Sequence, residues 1–273
     1  MSQPSSAFVP GHMTGFFSAH PDDDPTKAGS RGAGVTISEG VAVRLEAGDG
    51  LELNGEPATI EAVDRVLDAL RVTAHVVVET DLPLGAGFGV SGAAALGTAL
   101  ATNAVFDREL SENELVTVAH GAEVQAGTGL GDVVAQARGG VPVRLEPGAP
   151  AHGAMDGVPA LGSVEYVSFG ELQTEEILSS DTTELTAAGQ RGLASLVEAP
   201  TVETFMTASR RFAREAELLT PKVREAIEDV SAVGGEAAMA MLGETVFTLG
   251  TGLSDAGYDA ERCEICLSGA HVE

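Results

Sequence analysis

The sequence predicts an α+β fold, and three observations carry that expectation. Alternating and β-branched apolar runs fill the first third of the chain. Apolar residues at three- and four-residue spacing recur from Ile60 onward. Strands and helices then interleave without the regular period of a β-α-β fold. No internal repeat is visible. A stretch rich in Gly, Pro and Ala over 147–162 marks a soft boundary between two expected domains, 1–150 and 151–273.

The elements follow in order. Residues 7–9 form a short apolar run ended by Pro10-Gly11, and 34–46 alternates Val35, Ile37, Val41, Val43 and Leu45, predicting a strand pair broken at Glu39-Gly40. Between them, 18–34 is rich in Pro, Asp, Gly and Ser and reads as a loop. A short strand at 51–53 meets the turn Asn54-Gly55, and Ile60, Val63, Val66, Leu67 and Leu70 share one helical face. The β-branched run 73–80 is the clearest strand. An alanine-rich helix is expected over 91–105, and Ser111 with Glu114 makes a capping box for a helix reaching Ala126. Gly127 to Gly131 breaks the helical pattern, Asp132 opens a short helical turn ended by Gly139-Gly140, and 141–145 returns to strand. The second half predicts a strand at 164–169 and helices at 180–196, 202–219 and 221–230. Two strands over 236–249 turning at Leu242-Gly243-Glu244 follow, then a last strand at 262–267. Phe205, Phe212, Ala216 and Leu219 share a helical face and read as core.

Composition excludes several functions. Of 273 residues, 15 are Lys or Arg and 41 are Asp or Glu, a formal charge of −26. Such a surface repels nucleic-acid phosphates and anionic membranes. With 44% hydrophobic residues and carboxylates spread along the chain, this is an acidic coat on a folded core and not a disordered tail. Only Lys27 and Lys222 are lysines. An acidic, lysine-poor surface suits concentrated salt, where screening removes self-repulsion, so a salt-loving host is expected. The first residues lack a signal-peptide pattern, and no apolar run reaches the ~18 residues of a membrane span. A cytoplasmic protein is expected. Cys263 and Cys266 read as strand cysteines, a zinc site with His271 being the weaker alternative.

The strongest chemical feature is Gly85-Ala86-Gly87-Phe88-Gly89-Val90-Ser91-Gly92, set between a strand and a helix. Glycines let the backbone approach a ligand closely, and the first helical turn offers unpaired N–H groups and a favourable dipole to an anion, phosphate above all. The alternative is a plain tight turn. A Walker loop is excluded because neither lysine follows a glycine. Gly87-x-Gly89-x-x-Gly92 fits dinucleotide spacing, but no second parallel strand follows the helix.

The stretch from Pro83 to Ala94 resembles the nucleotide motif of the GHMP kinase superfamily. Two more segments agree in order and spacing. Val9-Pro10-Gly11-His12-Met13-Thr14-Gly15 looks like the N-terminal substrate motif, and 239–247 looks like the C-terminal glycine motif, with Met241 in place of a Gly and Glu244 in place of a Pro. The run 7–17, Gly29 to Gly34 and Gly127 to Gln136 together look most like the archaeal branch that phosphorylates the terminal hydroxyl of pantoate on the route to coenzyme A. The resemblance implies an N-terminal domain like ribosomal protein S5 domain 2 and a ferredoxin-like C-terminal domain. It also implies ATP and Mg²⁺. Another kinase of the superfamily, acting on homoserine, shikimate or mevalonate, is the first alternative, and a non-catalytic nucleotide binder is the second. Oligomeric state stays open, a homodimer included.

By the same resemblance, Pro83, Gly85, Ala86, Gly87, Gly89, Val90, Ser91 and Gly92 bind ATP. Ser91 and Glu123 hold the metal, with a helix N-cap and a solvated glutamate as their plain readings. Asp132 accepts or orients the proton of the acceptor hydroxyl, with Ser91 beside it in the catalytic set. A carboxylate substrate needs a cation in so acidic a protein. Arg31, with a planar fork suited to carboxylates, is expected to supply it, assisted by His12 and Thr14, while Arg138 is a second cation nearby.

Overall fold

The computed structural model describes residues 6–171 and 182–273, and within them a mostly antiparallel sheet and a smaller antiparallel one meet at the glycine-rich loop. The larger sheet begins with two long strands, β1 (Ser6–His20) and β2 (Gly29–Glu46), followed by β3 (Gly50–Leu53), β4 (Glu56–Ala58) and β5 (His75–Glu79). Its hairpin β6 (Val141–Glu146) and β7 (Ala154–Val158) pairs through β6 with β2, and β12 (His271–Val272) returns from the far end of the chain to pair with β1. Order runs β12-β1-β2-β5-β3-β4, with only β3 and β5 parallel. The smaller sheet has the order β11-β8-β10-β9, from β8 (Ser163–Glu171), β9 (Ala237–Ala240), β10 (Gly243–Leu249) and β11 (Glu261–Glu264). The larger sheet thus crosses residue 150 to include β7 and takes β12 from the second half.

The expected loop over 18–34 is largely strand, because β1 continues through Phe16 and Phe17 and pairs down to His20 opposite Gly29. Gly32 allows this. Its φ of +148° and the position of Phe16 O, 2.1 Å from where a Cβ would sit, leave no room for a side chain. Nor does Glu39-Gly40 break a strand pair. Pro10 faces Gly40 and Gly11 faces Ile37, so Ser38 and Glu39 are extra residues bulged out of one continuous β2. The predicted last strand shortens to β11, which holds Cys263. Cys266 lies beyond it, and its carbonyl accepts from Gly140 N–H at 2.7 Å and Thr36 Oγ1 at 2.8 Å. The described residues contain no cluster of three or more His, Cys, Asp or Glu able to hold a metal.

Helices cover the sheets. α1 (Glu61–Leu70) buries Ala62, Val63, Val66 and Leu70 and stops at Arg71 in a left-handed conformation. α2 (Val90–Val105) is buried along most of its length, which is why alanine and glycine dominate it: Gly97 faces Val43 at a distance no Cβ tolerates. α3 (Glu112–Ala126) carries the complete Ser111–Glu114 capping box, and α4 (Asp132–Arg138) follows the Gly127–Gly131 stretch. In the second half, α5 (Thr183–Glu198) lies against β1 and β2 of the larger sheet, while α6 (Val202–Glu215), α7 (Pro221–Ala232) and the short α8 (Gly252–Asp255) pack on the smaller sheet. Residues 180 and 181 of the expected helix lie outside the described residues. Phe205 and Phe212 are core, as their spacing predicts, touching Phe16 and Phe17 across the boundary between the halves. No helix among the described residues is long and apolar enough to cross a membrane.

Candidate active site

Three segments far apart in sequence converge on one cleft. The glycine-rich loop is its floor. Gly85, Gly87 and Gly89 have φ of +69°, +90° and +65°, left-handed backbone that glycine adopts without the strain a side chain would bring. Gly89 is the N-cap of α2, which places Ser91 in the first turn and not at the cap. In that turn the N–H groups of Val90 and Ser91 lack intrahelical acceptors and are available to an anion, while that of Gly92 is given to Glu123. β1 joins the loop where His12 N–H bonds Phe88 O at 2.9 Å. The β9–β10 turn closes the other side: Gly243 packs against Ala86 O, Thr245 Oγ1 donates to Ala86 O at 2.8 Å, and Met241 N–H bonds Thr14 O at 2.8 Å. Gly243 therefore presses the turn onto the glycine-rich loop.

Asp132, the first residue of α4, lines the cleft with about a quarter of its side chain exposed (23%). Its Oδ1 lies 2.7 Å from Nδ1 of His12, which is fully buried. Burial pushes the Asp132 carboxyl up, but the hydrogen bond from His12 and the charge of Arg144 outweigh it, and the group ends below the usual carboxylate range. Burial lowers His12, so the ring is neutral and its Nδ1–H is the donor. Gln136 Nε2 fixes α4 to the loop through Gly89 O at 3.0 Å.

Glu123, on α3, is buried 98% by the same fold, with 2% exposure, between the starts of α2 and α4. Burial and the neighbouring Asp132 charge push its carboxyl well above the ordinary range, while the N–H groups of Val133 and Gly92 pull it back. Beside it, Ser91 Oγ and Thr128 Oγ1 are 3.1 Å apart. A carboxyl and two hydroxyl oxygens are donors of the kind a hard cation such as Mg²⁺ takes, although Glu123 and Ser91 are not among the residues lining the cleft.

Arg144 was not singled out from the sequence. It sits on β6 with 2% exposure, lines the cleft near Asp132, and leaves Nε and Nη1 without partners. Burial lowers it to about 10, partly offset by Asp132, so it stays a cation at neutral pH. A charge this buried with open donors needs an anion to meet it. Ser30 lines the same wall. Arg31, by contrast, is turned to Glu146 and is not among the residues lining the cleft, and Arg138 lies over Gly157. Thr14 lines the cleft, whereas His12 reaches it only through Asp132. A faint signal for Arg144 existed: it is a lone cation inside an otherwise apolar strand, twelve residues after Asp132.

A glycine cradle at a helix start, a cleft carboxylate held as an anion and a buried cation with open donors together suit a phosphate donor and an anionic acceptor. The sequence profile of the GHMP kinases N terminal domain matches residues 58–140. The chain is 36% identical to the pantoate kinase of Methanocaldococcus jannaschii over 250 residues, 89% of this chain and 91% of that one. It is 34% identical to the pantoate kinase of Thermococcus kodakarensis over 268 residues, 89% of this chain and 86% of that one. A solved structure described as a phosphotransferase related to the CoA biosynthesis pathway is 31% identical, superposes with a TM-score of 0.87, and covers 99% of both chains. The chain belongs to the GHMP kinase family, and the two relatives named above, each matched over most of its length, are pantoate kinases.

Proposed function

We propose that the chain transfers the γ-phosphoryl group of ATP to the terminal hydroxyl of pantoate, giving 4-phosphopantoate and ADP on the route to coenzyme A. The observation that carries the choice of acceptor is Arg144, a buried guanidinium with two unpartnered nitrogens on the cleft wall. Its planar fork suits the substrate carboxylate, with Ser30 and Thr14 available to the hydroxyl groups.

The hydroxyl oxygen attacks the γ-phosphorus as the bond to the ADP oxygen breaks, and the proton leaves toward Asp132, which orients the hydroxyl as an anionic acceptor. The loop from Gly85 to Gly92 and the start of α2 hold the phosphates, with Pro83 and Val90 shaping its two ends. Glu123 and Ser91 would hold Mg²⁺, which supplies neutralisation of the phosphate charge when bound. The reaction needs no membrane or nucleic acid, in keeping with a cytoplasmic enzyme of this charge.

A coupled ADP-release assay with pantoate, homoserine, shikimate and mevalonate tests the reading. Turnover with pantoate far above the others is expected. Silence with pantoate, or preference for another acceptor, would overturn it.

A further inference from the structure

Arg144 and Asp132 account for the carboxylate and the reacting hydroxyl, but the cleft has another side. Phe17, Leu130, Met241 and Leu242 line it as an apolar wall. Leu242 is held at φ +66°, left-handed backbone that a leucine seldom adopts and that a glycine or asparagine would take with less strain. Nothing about the turn requires leucine there. The glycine demanded by close packing is the next residue, Gly243, against Ala86 O. A strained, partly exposed leucine on the rim of a binding cleft points to a side chain kept for what it touches. The turn is also placed where it matters. Met241 O lies 3.1 Å from where a Cβ of Gly87 would be, so this wall stands directly against the glycine-rich loop.

Accepting pantoate as the acceptor, the carbon next to its reacting CH₂OH carries two methyl groups and no polar atom. An unbranched hydroxy acid presents only hydrogens there. We infer that Met241 and Leu242 are specificity-determining residues, and that they form the contact that selects an acceptor doubly branched beside the reacting carbon. In an apolar pocket one methylene is worth roughly 10–200-fold in kcat/KM.

The readout is the ratio of kcat/KM for pantoate to that for 2,4-dihydroxybutanoate, which keeps the carboxylate and both hydroxyls and lacks both methyls. Leu242→Gly and Met241→Gly are expected to lower this ratio about tenfold or more, whatever happens to the absolute rates. Leu242→Gly also removes the left-handed strain, so its thermal midpoint should not fall, which separates lost recognition from lost folding. A ratio within about twofold of the parent in both variants would overturn the inference while leaving pantoate as the substrate. A parent enzyme inert toward both compounds would overturn the acceptor reading itself.

Discussion

Nδ1 of His12 and Oδ1 of Asp132 lie 2.7 Å apart, the ring fully buried and the carboxylate open to the cleft. Gly34 makes this possible, because a Cβ there would come within 2.2 Å of His12 Nε2. The neutral ring donates, and Asp132 is held below the usual carboxylate range, so it is ionised throughout the physiological span. Removing the donor raises the Asp132 pKa, and the acid limb of kcat/KM moves to higher pH. In His12→Leu the shift reflects the loss of a charge-assisted hydrogen bond, worth about 1.5–3 kcal/mol. His12→Asn, whose amide can take the place of Nδ1–H, should restore much of it. A pH profile unchanged in His12→Leu would show that Asp132 is held ionised by something else.

Arg144 separates acceptor binding from nucleotide binding. Its Nε and Nη1 have no partner within the protein, so Arg144→Met removes what the acceptor carboxylate gains, together with the charge that helps hold Asp132 ionised. Loss of a charged hydrogen-bonding partner costs about 1.5–3 kcal/mol, roughly a 10- to 150-fold rise in KM for pantoate, with KM for ATP little changed. Arg144→Lys should recover only part, since an ammonium cannot make the bidentate contact. Equal effects on both substrates would place Arg144 elsewhere in the mechanism.

The arginine shows where sequence reading stopped. Repeating spacing made most helices legible, and local chemistry made the Ser111 capping box and the glycine loop legible. The loop read over 18–34 failed because glycine and serine there are required by long-range pairing with β1 and close approach to Phe16, which local propensity does not register. Arg31 and Arg144 stand on strands with opposite fates. Arg31 meets Glu146 near the surface, while β6 turns Arg144 inward beside Asp132. Only tertiary pairing of β6 with β2 decides that, through Gly32 opposite Arg144 and Ala33 opposite Val143.

Glu123 is held by two helix starts, through the N–H groups of Gly92 and Val133, and both oxygens are crowded by glycines. Glu123→Gln keeps the volume and removes the charge. The Mg²⁺ concentration for half-maximal rate should then rise about 10- to 100-fold. Titrating rate against Mg²⁺ at saturating ATP measures it, and an unchanged requirement would leave Glu123 a purely structural tie between α2 and α4. Gly92→Ala probes that tie directly, since its Cβ would fall 2.5 Å from Glu123 Oε2. Overpacking of this kind costs about 1–3 kcal/mol of stability.

The charge of −26 predicts how the whole fold responds to salt. Six arginines, at 31, 44, 65, 191, 210 and 211, pair with glutamates near the surface, and such pairs contribute about 0–1 kcal/mol each. Salt weakens these few attractions and also the repulsion among the much larger excess of carboxylates. The excess decides the sign. As the screening length falls from about 10 Å at 0.1 M to about 3 Å at 1 M, the thermal midpoint and the activity should both rise. Glu56, Asp68, Glu198 and Glu228 are exposed and make no ion pair among the described residues. Changing all four to Lys shifts the charge by 4 × 2 = 8, from −26 to −18. That variant should reach its full midpoint at lower KCl than the parent. Full activity and a cooperative thermal transition of the parent in dilute buffer would show that the acidic coat is not an adaptation to salt.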